Sequence, residues 1–162
     1  MTKKTHSPPE KELKVGQKAK DRSLYAGVVD GKKLYAAPTD VKLKLAFNDA
    51  AKHAEKLNAK NYLGHNDWRV PTKEELRNLW KNRNKGALKD TFTMREGQWP
   101  AYYWSSTRAS SSDGAGQTSY AHFAYIADFR DGVVFQSSLY KDPRYYDSGY
   151  ETNRVRLVRN NP

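Results

Sequence analysis

Residues Gly64–Leu79, GHNDWRVPTKEELRNL, decide how the rest of the chain is read. Pro71 keeps the residue before it out of the helical region, so the run through Trp68 and Val70 is expected to be extended, with those two side chains on the same side. Thr72 follows, and Glu75 stands three positions later. That is the spacing of a capping box, in which the hydroxyl accepts from an early helical amide and the carboxylate reaches back to the Thr72 N–H. The helix begun there carries Leu76, Leu79 and Trp80 on one side, while Lys73, Glu74, Arg77 and Asn78 fall elsewhere on its surface. Trp68 and Val70 are expected core anchors, and Trp68, Trp80 and Trp104 are expected to be largely buried.

His65, Asn66 and Asp67, just upstream, invite a metal or acid–base reading, but the spacing favours turn chemistry. No second His or carboxylate follows at helical spacing, His6, His53 and His122 are scattered, and Asn and Asp bond readily to nearby backbone. Farther upstream, Phe47, Ala50, Ala51, Ala54 and Leu57 repeat at three and four within Leu45–Leu57, a small-residue helical face able to lie close to a sheet. Before that, two strand-like runs, 24–29 and 33–37, flank Asp30-Gly31, a dipeptide suited to a tight hairpin turn. Residues 1–22 are polar, carry Pro8 and Pro9 and show no sustained periodicity, so they are expected to form a flexible basic arm ahead of a single domain at 23–162.

Downstream of the capped helix, Lys81–Lys89 is basic, and Gly86 is a candidate C-cap. A connector through Phe92, Met94 and Trp99 leads to Tyr102–Thr107, whose aromatic and β-branched content suits a core strand. Arg108–Ser119 is almost all Ser, Ala, Gly and Asp, the composition of a long exposed loop. Alternating residues 122–129, a turn at Asp131-Gly132 and a return strand at 133–138 follow. A tyrosine-rich loop at 139–152 leads to a final strand at 153–159.

The 162 residues favour one domain able to bury a core unaided. Zero cysteines exclude disulfides, thiolate metal sites and cysteine nucleophiles. Aromatic residues, at 12%, argue for a folded chain despite a formal charge of +11. Residues 1–89 hold 21 Lys and Arg against 10 Asp and Glu, whereas residues 90–162 hold 8 against 8, so the whole excess lies in the first part. No apolar run approaches the roughly 18 residues of a membrane helix, and no apolar segment follows the lysine-rich start as a signal peptide requires. The expectation is no membrane insertion, with a cytoplasmic location or an exported or virion-associated one reached without an N-terminal signal peptide.

Together, DWRVPTKEEL (Asp67–Leu76), YWSST (Tyr103–Thr107), DFRDGVV (Asp128–Val134) and VRLVR (Val155–Arg159) resemble the Lcl C-terminal domain family of bacteria and phages. That family is related to the C-type-lectin-like fold of formylglycine-generating enzymes and retroelement variable proteins. The resemblance implies an α+β fold with two helices packed on a twisted antiparallel sheet, N- and C-terminal strands side by side, and a ligand face on the long loops of the second half. The sequence lacks the Glu-Pro-Asn or Gln-Pro-Asp and Trp-Asn-Asp triplets of calcium-dependent sugar binders, and it lacks the cysteines of the sulfatase-modifying relatives. Neither calcium-dependent sugar binding nor formylglycine generation is expected.

Tyr140, Arg144, Tyr145, Tyr146, Asp147 and Tyr150 have the composition of a contact loop: rigid amphipathic rings, a forked cation and adaptable neighbours. The alternative is that several of these rings fold back over the sheet. The leading expectation is a non-enzymatic module that binds a protein or glycan here, with no catalytic residues, no metal and no cofactor. Ser105, Ser106, His122 and Asp128 contain the residue types of a triad without its arrangement. The second expectation is sequence-tolerant binding of a polyanion, nucleic acid or acidic glycan, through Lys81, Arg83, Lys85 and Lys89.

Overall fold

Thr72 sits in extended backbone and takes the Glu75 N–H on its hydroxyl at 3.2 Å, while the Glu75 carboxylate accepts the Thr72 N–H at 2.9 Å. The capping box is complete and starts helix α2, Lys73–Asn82. Burial alone would raise the Glu75 carboxyl pKa, but the Arg69 fork, at 2.7 Å to each oxygen, and the Thr72 N–H hold it below its ordinary value. The computed structural model describes residues 12–109, 122–140 and 151–160.

The first hairpin pairs β1, Leu24–Val29, with β2, Lys32–Ala36, through Asp30 and Gly31. Both turn residues have positive φ, 49° and 73°, as a turn that follows the strand twist requires. A short β3, Leu45–Ala46, runs into α1, Phe47–Ala59. After α2 come the small hairpin β4, Arg95–Glu96, with β5, Trp99–Pro100, and the longer strands β6, Tyr102–Arg108, β7, Phe123–Asp128, and β8, Val134–Ser138. The chain closes with β9, Thr152–Asn153, and β10, Val158–Asn160. Among the described residues the antiparallel sheets run β1-β2-β10 and β6-β7-β8, with two-stranded β3-β9 and β4-β5, so the fold is α+β.

Alternation along β6 and β7 feeds two cores. Tyr103 and Ala127 join Leu24, Leu34, Leu76, Leu79 and Phe129 in one of them. Trp104, Ala124 and Ile126 join Ala50, Ala54, Trp68, Val70 and Leu157 in the other. Trp68 and Trp104 are 2% and 0% exposed. Trp80 is only half-buried: Gly132 lies so close that a Cβ there would meet the indole at 2.4 Å, and the Arg83 guanidinium covers the ring at 4.2 Å.

Several expectations are corrected. The C-terminal strand lies beside β2 rather than beside the first strand, because β10 pairs Val158 with Ala36 and leaves β1 on the far side of the hairpin. The single closing strand is divided into β9 and β10, since Val155 and Leu157 bond to Val41 and Ala37 of a loop instead of to a strand. Gly86 does not cap α2, which ends earlier. It packs on the Gly16 backbone, where a Cβ would come within 2.6 Å of the Gly16 oxygen. Of the expected arm, residues 1–11 lie outside the described part, while the segment from Gly16 onward is bonded to the domain. Gly16 donates to Tyr25 at 2.8 Å, Tyr25 donates to Gln17 at 2.9 Å, and Ala87 donates to Gly16 at 2.7 Å.

Candidate functional site

Backbone bonding at one end of the β6-β7-β8 sheet sets the geometry. Ala109 donates to the Phe123 carbonyl at 3.1 Å, Leu139 to His122 at 2.8 Å, and Glu151 to Leu139 at 2.9 Å. The residues flanking 110–121 are thereby joined to those flanking 141–150. The β3–β9 pairing, Leu45 with Asn153 and Ala46 with Thr152, brings the start of α1 to the same end. There Phe47 meets Trp104 edge-on at 5.6 Å, and Arg108 lies 4.7 Å over the Phe47 ring and reaches the Asn48 oxygen at 3.4 Å. His122 and Tyr140 pack ring to ring at 5.2 Å.

A cleft of about 120 Å³ opens here between Phe47, Asn48, Asp49 and Lys52 of α1 and the Leu139-Tyr140 segment. A second and more apolar groove of about 350 Å³ shares Phe47 and Asn48, and continues over Ala51, Ala54, Trp68, Val70 and Ser106. The small alanines that let α1 approach the core also leave this groove unfilled. The cleft is bordered by the Asn48 amide, the Asp49 carboxylate and the Lys52 ammonium, and the groove by the Asn48 amide, the Glu55 carboxylate and the Arg69 guanidinium.

Tyr140 stands at the rim of the cleft, 44% exposed. Arg144, Tyr145, Tyr146, Asp147 and Tyr150 lie outside the described residues. Of the basic set, Lys81, Lys85 and Lys89 are exposed, whereas Arg83 donates to the Trp80 carbonyl at 2.8 Å and stacks on its indole. The triad-like residues serve separate ends. Ser105 is fully buried and donates to Tyr125 at 2.8 Å, Asp128 is held by Arg130, and His122 lies against Tyr140. Burial alone would raise the Asp128 carboxyl, and the Arg130 contacts bring it below its ordinary value.

Two buried polar clusters are absent from the reading by sequence. In one, Arg156, 0% exposed, bonds Asp40 at 2.7 Å and the Thr91 backbone, while the Tyr103 hydroxyl reaches the same carboxylate at 2.5 Å. Burial, and then the Asp40 charge, push the Tyr103 phenol well above its ordinary value. In the other, Asp21 receives Arg159 at 2.5 Å, Ser23 at 2.6 Å and 2.8 Å, and His65 at 2.6 Å. Burial opposes ionisation of Asp21, but these bonds prevail and lower its pKa to about 2. The only available signal is two arginines interleaved with Val and Leu in the closing segment.

The model of the Lcl C-terminal domain matches residues 17–159. The chain belongs to the Lcl C-terminal domain family. No curated protein matches it. The matched span of this Lcl C-terminal domain begins at Gln17, which bonds Tyr25, and ends at Arg159, which bonds Asp21. In this chain the matched span therefore starts ahead of the first hairpin, and an ion pair between Asp21 and Arg159 joins its two ends. No helix among the described residues is long and apolar enough to cross a membrane. Among those residues no three His, Asp or Glu side chains are grouped as a metal site needs.

Proposed function

We propose that this Lcl C-terminal domain is a non-enzymatic binding module on a C-type-lectin-like frame, recognising a protein or glycan through the loop face of its second half without calcium. The observation that carries this reading is the convergence at one sheet end. The Ser- and Gly-rich segment and the tyrosine-rich segment leave from bonded neighbours, beside a cleft floored by α1. Trp104, fully buried and donating to the Leu45 carbonyl at 2.8 Å, anchors β6 to that floor, so the face stands on rigid elements. Tyrosine rings on such a support give large contact area at low entropic cost. The engagement of Ser105, Asp128 and His122 in separate contacts supports a binding role over catalysis.

Screening glycan and protein arrays, followed by hydrogen-exchange mass spectrometry with a captured ligand, tests the assignment. Protection is expected within 108–122 and 139–151. Protection confined to α2 and the following basic stretch contradicts it.

A second reading, polyanion binding through the first half, draws on the exposure of Lys81, Lys85 and Lys89, which form no ion pair among the described residues.

A further inference from the structure

The two edges of β8 differ. Asp128 donates to the Val133 carbonyl at 2.9 Å, Leu139 donates to His122 at 2.8 Å, and the β7–β8 register runs without a shift from Phe123↔Ser138 to Ala127↔Val134. Bonded and non-bonded pairs alternate in an antiparallel ladder. The bonded pairs are therefore His122/Leu139, Ala124/Ser137, Ile126/Phe135 and Asp128/Val133. It follows that the backbone N–H and C=O of Val134, Gln136 and Ser138 point away from β7. Among the described residues no strand lies on that side, where the sheet order ends at β8.

The side chains along this edge are unlike the rest of the surface. From Val133 to Tyr140 there is no Lys, Arg, Asp, Glu or Pro in a chain of net charge +11. Val133 is 53% exposed, and Phe135 is 38% exposed and meets the Tyr102 ring edge-on at 5.6 Å. Sheet edges are ordinarily guarded by lysine, proline, a bulge or a cover, because an open ladder pairs with any extended chain. This edge has neither charge, proline nor bulge.

We propose that the outer edge of β8 docks an extended peptide segment of a partner protein, which adds a fourth strand to β6-β7-β8 and lays an apolar side chain against Phe135 and Tyr102. Main-chain bonds to Val134, Gln136 and Ser138 supply affinity, and alternate side chains supply selectivity. Residues on the Phe135 side are apolar, and those facing Gln136 are polar. The edge itself lies in residues 90–162, where 8 Lys and Arg balance 8 Asp and Glu, so acidic flanks act only through the overall charge of +11. A second copy of this chain is a poor occupant: it brings a like charge, and pairing along one short strand falls below the ~1,200 Å² typical of a stable interface. The site adjoins the loop face at the end of β8 but uses different groups, the outward backbone of Val134, Gln136 and Ser138 and the rings of Phe135 and Tyr102.

The probe is an acetylated, amidated heptapeptide of alternating valine and threonine with aspartate at each end, compared with an analogue N-methylated on the amides that face β8. Expected are saturable binding of the first peptide, at least tenfold weaker binding of the analogue, and at least tenfold slower amide exchange at Val134, Gln136 and Ser138 when peptide is bound. Gln136→Pro removes an outward backbone donor, which an edge strand tolerates, together with a long side-chain bond to the Tyr125 hydroxyl at 3.4 Å, and should weaken binding at least tenfold with little change in melting temperature. Phe135→Lys serves as an independent variant should the proline disturb the fold. Combined Ala substitution of Tyr140, Arg144, Tyr146 and Tyr150 should leave peptide binding intact, separating this site from the loop face. Equal binding of both peptides, or unchanged exchange at the three amides, overturns the proposal. So does concentration-dependent dimerisation that protects the same amides without peptide, since it assigns the edge to a second copy.

Discussion

Arg159 is 2% exposed, and its partner Asp21 comes from the segment preceding the first strand. A guanidinium so buried is tolerated only when it is paired and bonded. The consequence is a pH dependence of defined sign. The Asp21 pKa is lowered to about 2 in the folded protein, against ~3.9 in an unfolded chain. Its contribution to stability is therefore complete above the unfolded value and is lost as pH falls through the folded one. Denaturant unfolding of wild type and Asp21→Asn between pH 5 and pH 2 should show the gap between them narrowing by about 1–2 kcal/mol toward acid. A gap that stays constant would remove Asp21 from the acid response. Asp21 also shows why such a residue escapes sequence reasoning. Its partners stand 44 and 138 positions away, at His65 and Arg159, and no local pattern couples them. The Thr72–Glu75 box, closed within one turn of chain, is fully legible.

At the scale of elements, legibility follows the same rule. The α2 cap, the Asp30-Gly31 hairpin and the β7–β8 hairpin are each specified by neighbouring residues, and each forms. The break between β9 and β10 depends on the loop at Ala37 and Val41 that lies beside it, and Gly86 depends on Gly16, so neither could be placed from local sequence. The stretch after α2 yields a prediction of its own. Affinity for heparin or unrelated DNA, measured from 50 to 300 mM salt, should fall steeply if the exposed lysines carry it, since released counterions drive such binding. Reversing Lys81, Lys85 and Lys89 to Glu should abolish it regardless of DNA sequence. Arg83→Ala should instead chiefly lower the melting temperature, because that side chain covers Trp80. Salt-insensitive affinity, or affinity for a single DNA sequence, would contradict the polyanion reading.

For the whole molecule, the α+β class and the family were legible from four motifs taken in order, while the site was legible only as composition. The sequence shows a tyrosine-rich segment and a Ser- and Gly-rich segment well separated along the chain. The residues flanking the two are joined at one sheet end by long-range bonds, Ala109 to Phe123 and Glu151 to Leu139, and the β3–β9 pairing brings the start of α1 to the same end. Charge and contact are separated as well: exposed Lys81, Lys85 and Lys89 lie in the last turn of α2 and just beyond it, while Tyr140 stands at the cleft beside α1. Binding through one region should therefore leave the other unaffected.

Binding through the loop face is tested by titrating a ligand identified by array screening against wild type and against the combined Tyr140→Ala, Arg144→Ala, Tyr146→Ala and Tyr150→Ala variant, with the melting curve of each. Surface substitutions away from special features shift stability by roughly half a kcal/mol or less each, and a few aromatic and Arg anchors dominate most interfaces. Nearly coincident melting curves are expected, with at least a hundredfold loss of affinity. A variant that melts far below wild type would make these rings a cover for the sheet, and a stable variant that binds the ligand as well as wild type would contradict the loop-face assignment.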